Sequence, residues 1–198
     1  NNEGDDSFLV KYDSAGNTLW AISAGADYAD QCHGVACDPA GNVFITGEFW
    51  SASLTLGDTT LINTGSDDIF IAKYDGSGNF KWAKSASGSS EDVSNDIITD
   101  LSGNVYITGS FLSNSVSMDG VTLNNTNPGS EDMFIYKLDP NGNTLWGLNP
   151  TGSDRDQGFG VATDRSGNLL VTGDFRSTTL SFGVVSIGNT GGDDVFIA

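Results

Sequence analysis

The stretch FLVKYDSAGNTLW, Phe8 to Trp20, returns as FIAKYDGSGNFKW at Phe70 to Trp82 and as FIYKLDPNGNTLW at Phe134 to Trp146, and FIA at Phe196 opens a further copy. The copies start 62, 64 and 62 residues apart (8 to 70, 70 to 134, 134 to 196). A second phrase keeps the same phase: DPAGNVFITGEF from Asp38, DLSGNVYITGSF from Asp100 and DRSGNLLVTGDF from Asp164. Self-similarity at a fixed period means that one supersecondary unit has been copied and stacked, so the repeat is the unit in which the fold is read. On this reading 1–198 is a single segment, with repeat 1 at 5–66, repeat 2 at 67–130, repeat 3 at 131–192 and the start of a fourth at 193–198.

Four strand-like runs fall within a repeat. Run A is Gly34 to Asp38, run B Asn42 to Phe49, run C Asp68 to Tyr74 and run D Phe80 to Ala86. Runs A and B are joined by DPAGN, runs C and D by DGSGN. In both turns the Asp carboxylate can cap its own turn while Gly and Asn accept positive φ, the chemistry of a tight hairpin with a bulge. Run B alternates Val43, Ile45, Gly47 and Phe49 on one face with Phe44, Thr46 and Glu48 on the other, both faces partly apolar, as in a strand covered on two sides. Its glycine recurs as Gly109 and Gly173, which predicts a close neighbour, with Trp20, Trp82 or Trp146 the candidates to lie over it. Run A is made of small residues and is expected near a crowded axis; run D carries Lys81 and Lys84 and is expected outside, where charge blunts an edge.

Four antiparallel strands repeated in phase are the unit of a β-propeller blade, and the fold class read here is all-β, a partial or open propeller of about three repeats. The repeats exceed the usual roughly 40 to 50 residues of a blade. The excess lies between runs B and C, in SLTLGDTTLINTG from Ser53 and its counterparts from Ser115 and Leu180, each read as an added small hairpin.

The phrase D-x-F-x-x-K-x-D-x-x-G-N-x-x-W is carried by Asp6, Phe8, Lys11, Asp13, Gly16, Asn17 and Trp20. It is succeeded by Gly34, Ala36, Asp38, Gly41, Asn42, Val43, Thr46 and Gly47. Together they resemble the SBBP repeats of bacterial β-propellers. The resemblance implies a secreted or surface-exposed bacterial protein and says little about chemistry. The second copy departs from it with Asp96 and Ile98 in run A, where the first has Gly34 and Ala36.

Composition narrows function. The 26 acidic residues against 8 basic ones, a net charge of −18, repel phosphate backbones and argue against nucleic acid as a partner. No run of 18 apolar residues offers a membrane span. Cys32 and Cys37 occur only in the first copy and read as small space-fillers. His33, the only histidine, has no nucleophile motif around it, and repetition argues against the unique constellation an enzyme needs.

In a propeller the B-to-C and D-to-A connections emerge on one face, and here they hold most of the clustered acids. Asp30, Asp92 and Asp156 precede the A runs and are, with Trp50, the expected ligand-binding residues. Trp50 stands where the other copies have Leu112 and Arg176. Asp68, Asp132 and Asp194 open the C runs and are the expected metal ligands, with Ca2+ the cation that oxygen donors suit. The alternative for all six is a structural one, in which each carboxylate caps its own loop. The sequence is read as a non-catalytic extracellular or cell-surface binding and adhesion module, its partner a protein or glycan on a cell surface, with further blades of the same chain or another subunit closing the ring. A structural repeat of a surface or filament assembly is the alternative, and a secreted hydrolase survives only with its site outside this sequence.

Overall fold

The computed structural model describes residues 4–198. The chain is all-β, with no helix among the described residues. It opens with a hairpin of β1 (Ser7–Tyr12) and β2 (Thr18–Ala24). The first four-stranded sheet comes next, with β3 (Asp30–Cys37), β4 (Val43–Phe49), β7 (Asp68–Tyr74) and β8 (Phe80–Ala86) antiparallel in that order. Between its middle strands the chain makes a separate hairpin, β5 (Ser53–Leu56) with β6 (Thr59–Ile62). The second sheet repeats the plan with β9 (Asp92–Thr99), β10 (Val105–Phe111), β13 (Asp132–Leu138) and β14 (Thr144–Leu148), and its inserted hairpin is β11 (Ser115–Met118) with β12 (Val121–Asn124). The third has β15 (Asp156–Thr163), β16 (Leu169–Phe175) and β19 (Asp194–Ile197), with β17 (Thr179–Phe182) and β18 (Val185–Gly188) as its hairpin. These are the blades of an open, partial propeller, and among the described residues no sheet closes into a barrel.

The A strands gather on the inside. Thr99 Oγ1 of β9 donates to the Cys37 carbonyl of β3 at 2.7 Å, and Asn95 Nδ2 of β9 to the Gly158 carbonyl of β15 at 2.8 Å. A side chain on Gly34 would lie 2.9 Å from Ile97, so small residues are needed where β3 meets β9. Asp96, the departure in the second copy, fits this interface: its carboxylate accepts from the Val161 amide of the next inner strand at 2.9 Å.

Every A strand carries a bulge, at His33, Asn95 and Phe159, where the register to β4, β10 and β16 slips by one residue. The bulge explains the in-strand glycines and corrects the expectation that tryptophan covers them. A Cβ on Gly47 would sit 1.8 Å from the Gln31 carbonyl oxygen, one on Gly109 2.0 Å from that of Val93, and one on Gly173 1.9 Å from that of Gln157. What approaches the glycine is the backbone of the bulged partner strand.

The tryptophans act elsewhere. Trp20 and Trp82 pair across their hairpins with Lys11 and Lys73, and each Lys–Trp pair grips the D-x-x-G-N turn of the next blade. Lys11 Nζ and Trp20 Nε1 both donate to the Gly76 carbonyl, at 2.8 and 3.2 Å; Lys73 Nζ and Trp82 Nε1 do the same to Pro140, at 2.8 and 3.4 Å. Gly78 and Gly142, at φ 84 and 86°, lie against the indoles, where a Cβ would be 3.0 and 2.9 Å from ring atoms. The phrase K-x-D-x-x-G-N-x-x-W is thus both a clasp and the thing it clasps.

The inserted hairpins have a geometric cause. Sheets that meet along their inner strands diverge outward, and the wedge between them must be filled. The β11–β12 hairpin bridges β8 of one blade and β14 of the next. Ser117 pairs with Ser87, Asp119 takes Lys84 as ion partner, and the same carboxylate accepts from the Thr144 amide at 3.1 Å. Its Val116, Met118 and Leu123 are buried, as are Leu54, Leu56 and Leu61 of the first hairpin. Twelve or so extra residues per blade are the consequence of packing this wedge without larger sheets.

Candidate functional site: the acidic loop face

The register puts all six expected site carboxylates at one end of the blades. Asp30 and Asp68 flank Phe49, Asp92 and Asp132 flank Phe111, and Asp156 and Asp194 flank Phe175. The D-x-x-G-N turns lie at the opposite end. There each Asp is saturated from within: Asp139 Oδ1 accepts from the Asn141 and Asn143 amides at 2.8 and 2.9 Å, and Oδ2 from Asn143 Nδ2 at 2.8 Å.

Asp30, Asp92 and Asp156 are buried and share one device. Ser113 Oγ donates to Asp92 Oδ2 at 2.7 Å while accepting from the Ser89 and Ser90 amides at 2.7 and 2.8 Å. Ser177 repeats this with Asp156 and the amides of Ser153 and Asp154, and Ser51 with Asp30 and the Tyr28 amide. The hydroxyl relays the carboxylate's charge to amides of the D-to-A loop that would otherwise be unsatisfied. The serines recur in phase as FWS, FLS and FRS after run B, a sequence signal that is weak by itself because serine is common in loops.

Asp68, Asp132 and Asp194 clamp the B-to-C loop instead. Each Oδ2 accepts both the amide and hydroxyl of a threonine: Thr64 at 2.9 and 3.3 Å, Thr126 at 2.6 and 2.8 Å, Thr190 at 2.7 and 3.0 Å. They stand one per blade, and among the described residues no three His, Cys, Asp or Glu side chains are gathered to hold a metal ion. The arrangement is what loop capping requires. Replacing Ser113 by alanine strands two amides and strips the buried Asp92 Oδ2 of its hydroxyl donor, and should cost about 2 to 3 kcal/mol in urea unfolding. Saturating calcium should shift the melting temperature no further than salt of equal ionic strength does.

Trp50 is 47% exposed at the end of β4, its amide bonded to the Ala29 carbonyl at 3.0 Å. His33 Nε2 lies 2.8 Å from Glu48 Oε2, and that carboxylate raises the imidazole's pKa. Cys32, half-buried, has its thiol pushed up to about 11 by burial, while Cys37 is exposed; neither forms a disulfide. A cavity of about 520 Å3 runs between β1 and β3 and is lined by Phe8, Val10, Gln31 and His33 among others. Phe8 is 76% exposed where its counterparts Phe70 and Phe134 are buried, because among the described residues β1 has β2 on one side and no B-type strand on the other.

The face is electrostatically loaded. Burial foremost, with repulsion from neighbouring acids, pushes Asp67 and Asp92 up to about 7 and Asp156 to about 6. At the opposite end, bonds from the Asn17, Asn143 and Asn168 side chains lower Asp13, Asp139 and Asp164. The signs oppose. Groups raised in the folded state bind more protons there than in the unfolded chain between about pH 4 and 7, so stability grows as pH falls through that window. Groups lowered in the folded state contribute above about pH 4 and lose that contribution below it. The melting temperature should therefore be higher at pH 5 than at pH 8 and fall again below about pH 4. A steady rise up to pH 8 in melts at fixed ionic strength would contradict the assignment.

No protein-family model matches the chain. It is 29% identical over 206 aligned residues to an uncharacterised WD repeat-containing protein of Acanthamoeba polyphaga mimivirus, an alignment covering 89% of this chain and 15% of that protein. It is 31% identical over 122 residues to the regulatory protein FlaEY of Caulobacter vibrioides, covering 58% and 13%. The chain therefore spans less than a sixth of the length of either relative. A crystal structure of a protein of unknown function from Bacteroides caccae aligns over 91% of this chain and 72% of its own, at 12% identity and a TM-score of 0.34.

Proposed function

We propose that the chain is a non-catalytic binding and adhesion module on an open propeller of SBBP-type repeats, working outside the cell, and that a surface protein or glycan meets its loop face. The observation that carries this is asymmetry on an otherwise repeated face. Trp50 presents a half-exposed indole where the other blades have Leu112 and Arg176, beside the acids that the repeats share. A large, stiff aromatic at an otherwise polar rim is the residue type that anchors ligands. Net charge of −18 is consistent with a basic or neutral partner and with solubility outside the cell. The repeat character in the name of the mimiviral relative agrees with the scaffold.

A second reading, a structural repeat in a surface assembly, draws on the Lys–Trp clasp, a contact that can be propagated without limit along a chain. Arrays of glycans and of peptides separate the two. Saturable capture of defined ligands supports the module; no capture, together with filaments under the electron microscope, supports the assembly.

A further inference from the structure

The position before the C strand holds an acid in each of the three blades, Asp67, Glu131 and Asp193, but their partners differ. Asp193 is gripped by two guanidinium groups: Arg176 through Nε at 2.5 Å and Nη2 at 3.2 Å, and Arg155 through Nη2 at 3.1 Å. Arg155 Nη2 also reaches Asp174 on β16 at 3.3 Å, so it bridges two acids. Glu131 accepts from the Gln157 side-chain amide of the next blade. Asp67 is 1% exposed, and its Oδ1 is buried with no partner.

The sequence of the first blade shows why. Aligned on the repeat, Arg155 corresponds to Ala29, Arg176 to Trp50, and the Gln157 that serves Glu131 to the Val93 that comes after Asp67's blade. The acids are kept: Glu48 stands at the place of Asp174, buried on β4. Every donor of the third blade's cluster is thus missing from the first, while both carboxylates remain. We propose that Glu48 and Asp67, rimmed by Trp50, form a receptor site for the guanidinium of an arginine side chain on a partner protein.

Three features fit that cation. The third blade shows that a guanidinium spans this acid pair within the same fold. Ala29, half-buried, stands where the Arg155 side chain starts, so the first blade places no cation of its own at that position. The Trp50 indole supplies a face on which a planar cation can stack. Asp67 is held near neutral by burial and by Glu48, Glu91, Asp92 and Asp68, and Glu48 itself is paired with His33, so the incoming cation replaces a proton on Asp67. Binding therefore tightens as pH rises through about 7.

The site rests on the reading of the loop face as a binding face, and the test separates the two. The probe is a short arginine peptide with blocked ends, titrated into the chain by calorimetry at pH 8, beside the same peptide with lysine. Arginine should bind saturably and more tightly than lysine, which lacks the bidentate fork. Asp67→Asn should weaken binding about tenfold or more while leaving the melting temperature at or above that of the parent, because it removes an unpartnered buried charge. Ala29→Arg should fill the site from within, raising the melting temperature and abolishing peptide binding. Equal binding of the two peptides, no binding of arginine, or unchanged binding in Ala29→Arg overturns the proposal. Capture of array ligands by the Asp67→Asn chain as strongly as by the parent would remove this site and leave the binding reading standing.

Discussion

Replacing Gly109 by alanine should destabilise the chain by about 3 kcal/mol or more, a large loss for one methyl group. The new Cβ would lie 2.0 Å from the Val93 carbonyl oxygen and 2.9 Å from the Ser94 Cα, both backbone atoms of β9. A side chain could swing aside; a strand hydrogen-bonded at the inner edge of its blade cannot, and relief requires undoing the bulge at Asn95 and with it the contact to Gly158. Gly188→Ala is the control, since nothing stands within 4 Å of its Cβ and its φ is not positive, and it should change stability by less than about 0.5 kcal/mol. Urea unfolding of both variants checks the contrast. Similar small effects at the two positions would mean that the bulge does not govern the glycine.

Trp82→Ala carries the second large effect. The indole is half-buried, so the loss should be about 2 to 3 kcal/mol, under the 3 to 5 typical of a fully buried tryptophan. The change removes the edge contact to Phe44 at 6.0 Å, the packing on Gly142 and the bond to the Pro140 carbonyl. Lys73 shares that carbonyl and sits 5.0 Å from the Phe44 ring, so the double variant with Lys73→Met should lose less than the sum of the two single changes. Additivity would show that the two side chains do not act as one clasp.

The repeat was legible because copying preserves phase: runs B, C and D, both D-x-x-G-N turns and the inserted hairpins all lie where the sequence puts them. The sequence pattern starts run A at Gly34, whereas β3 begins at Asp30. The bulge reverses side-chain parity at His33, so Asp30 to Cys32 fall out of alternation with Gly34 to Cys37, and the bulged residues themselves, His33, Asn95 and Phe159, share no chemistry. The glycine signal was correct and its partner was not, since periodicity reveals that something is close but not whether it is a ring or a backbone carbonyl. At the loop face the six aspartates were found from their recurrence, and their work within the loops depends on serines and threonines whose partners only the fold brings near. The unbalanced acids of the first blade were the reverse case. Their meaning lies in what is missing at Ala29 and Trp50, which no single repeat discloses.

Whether ligands meet the loop face is decided most directly by altering one end of the blades at a time. Trp50→Ala changes the loop end; Leu101→Ala, at a residue 83% exposed in the turn after β9, changes the other. Both side chains are exposed enough that each variant should keep the parent's melting temperature. On the same glycan and peptide arrays the account expects Trp50→Ala to lose capture and Leu101→Ala to retain it. Capture that survives Trp50→Ala and fails in Leu101→Ala would place the ligand on the turn face and contradict the account.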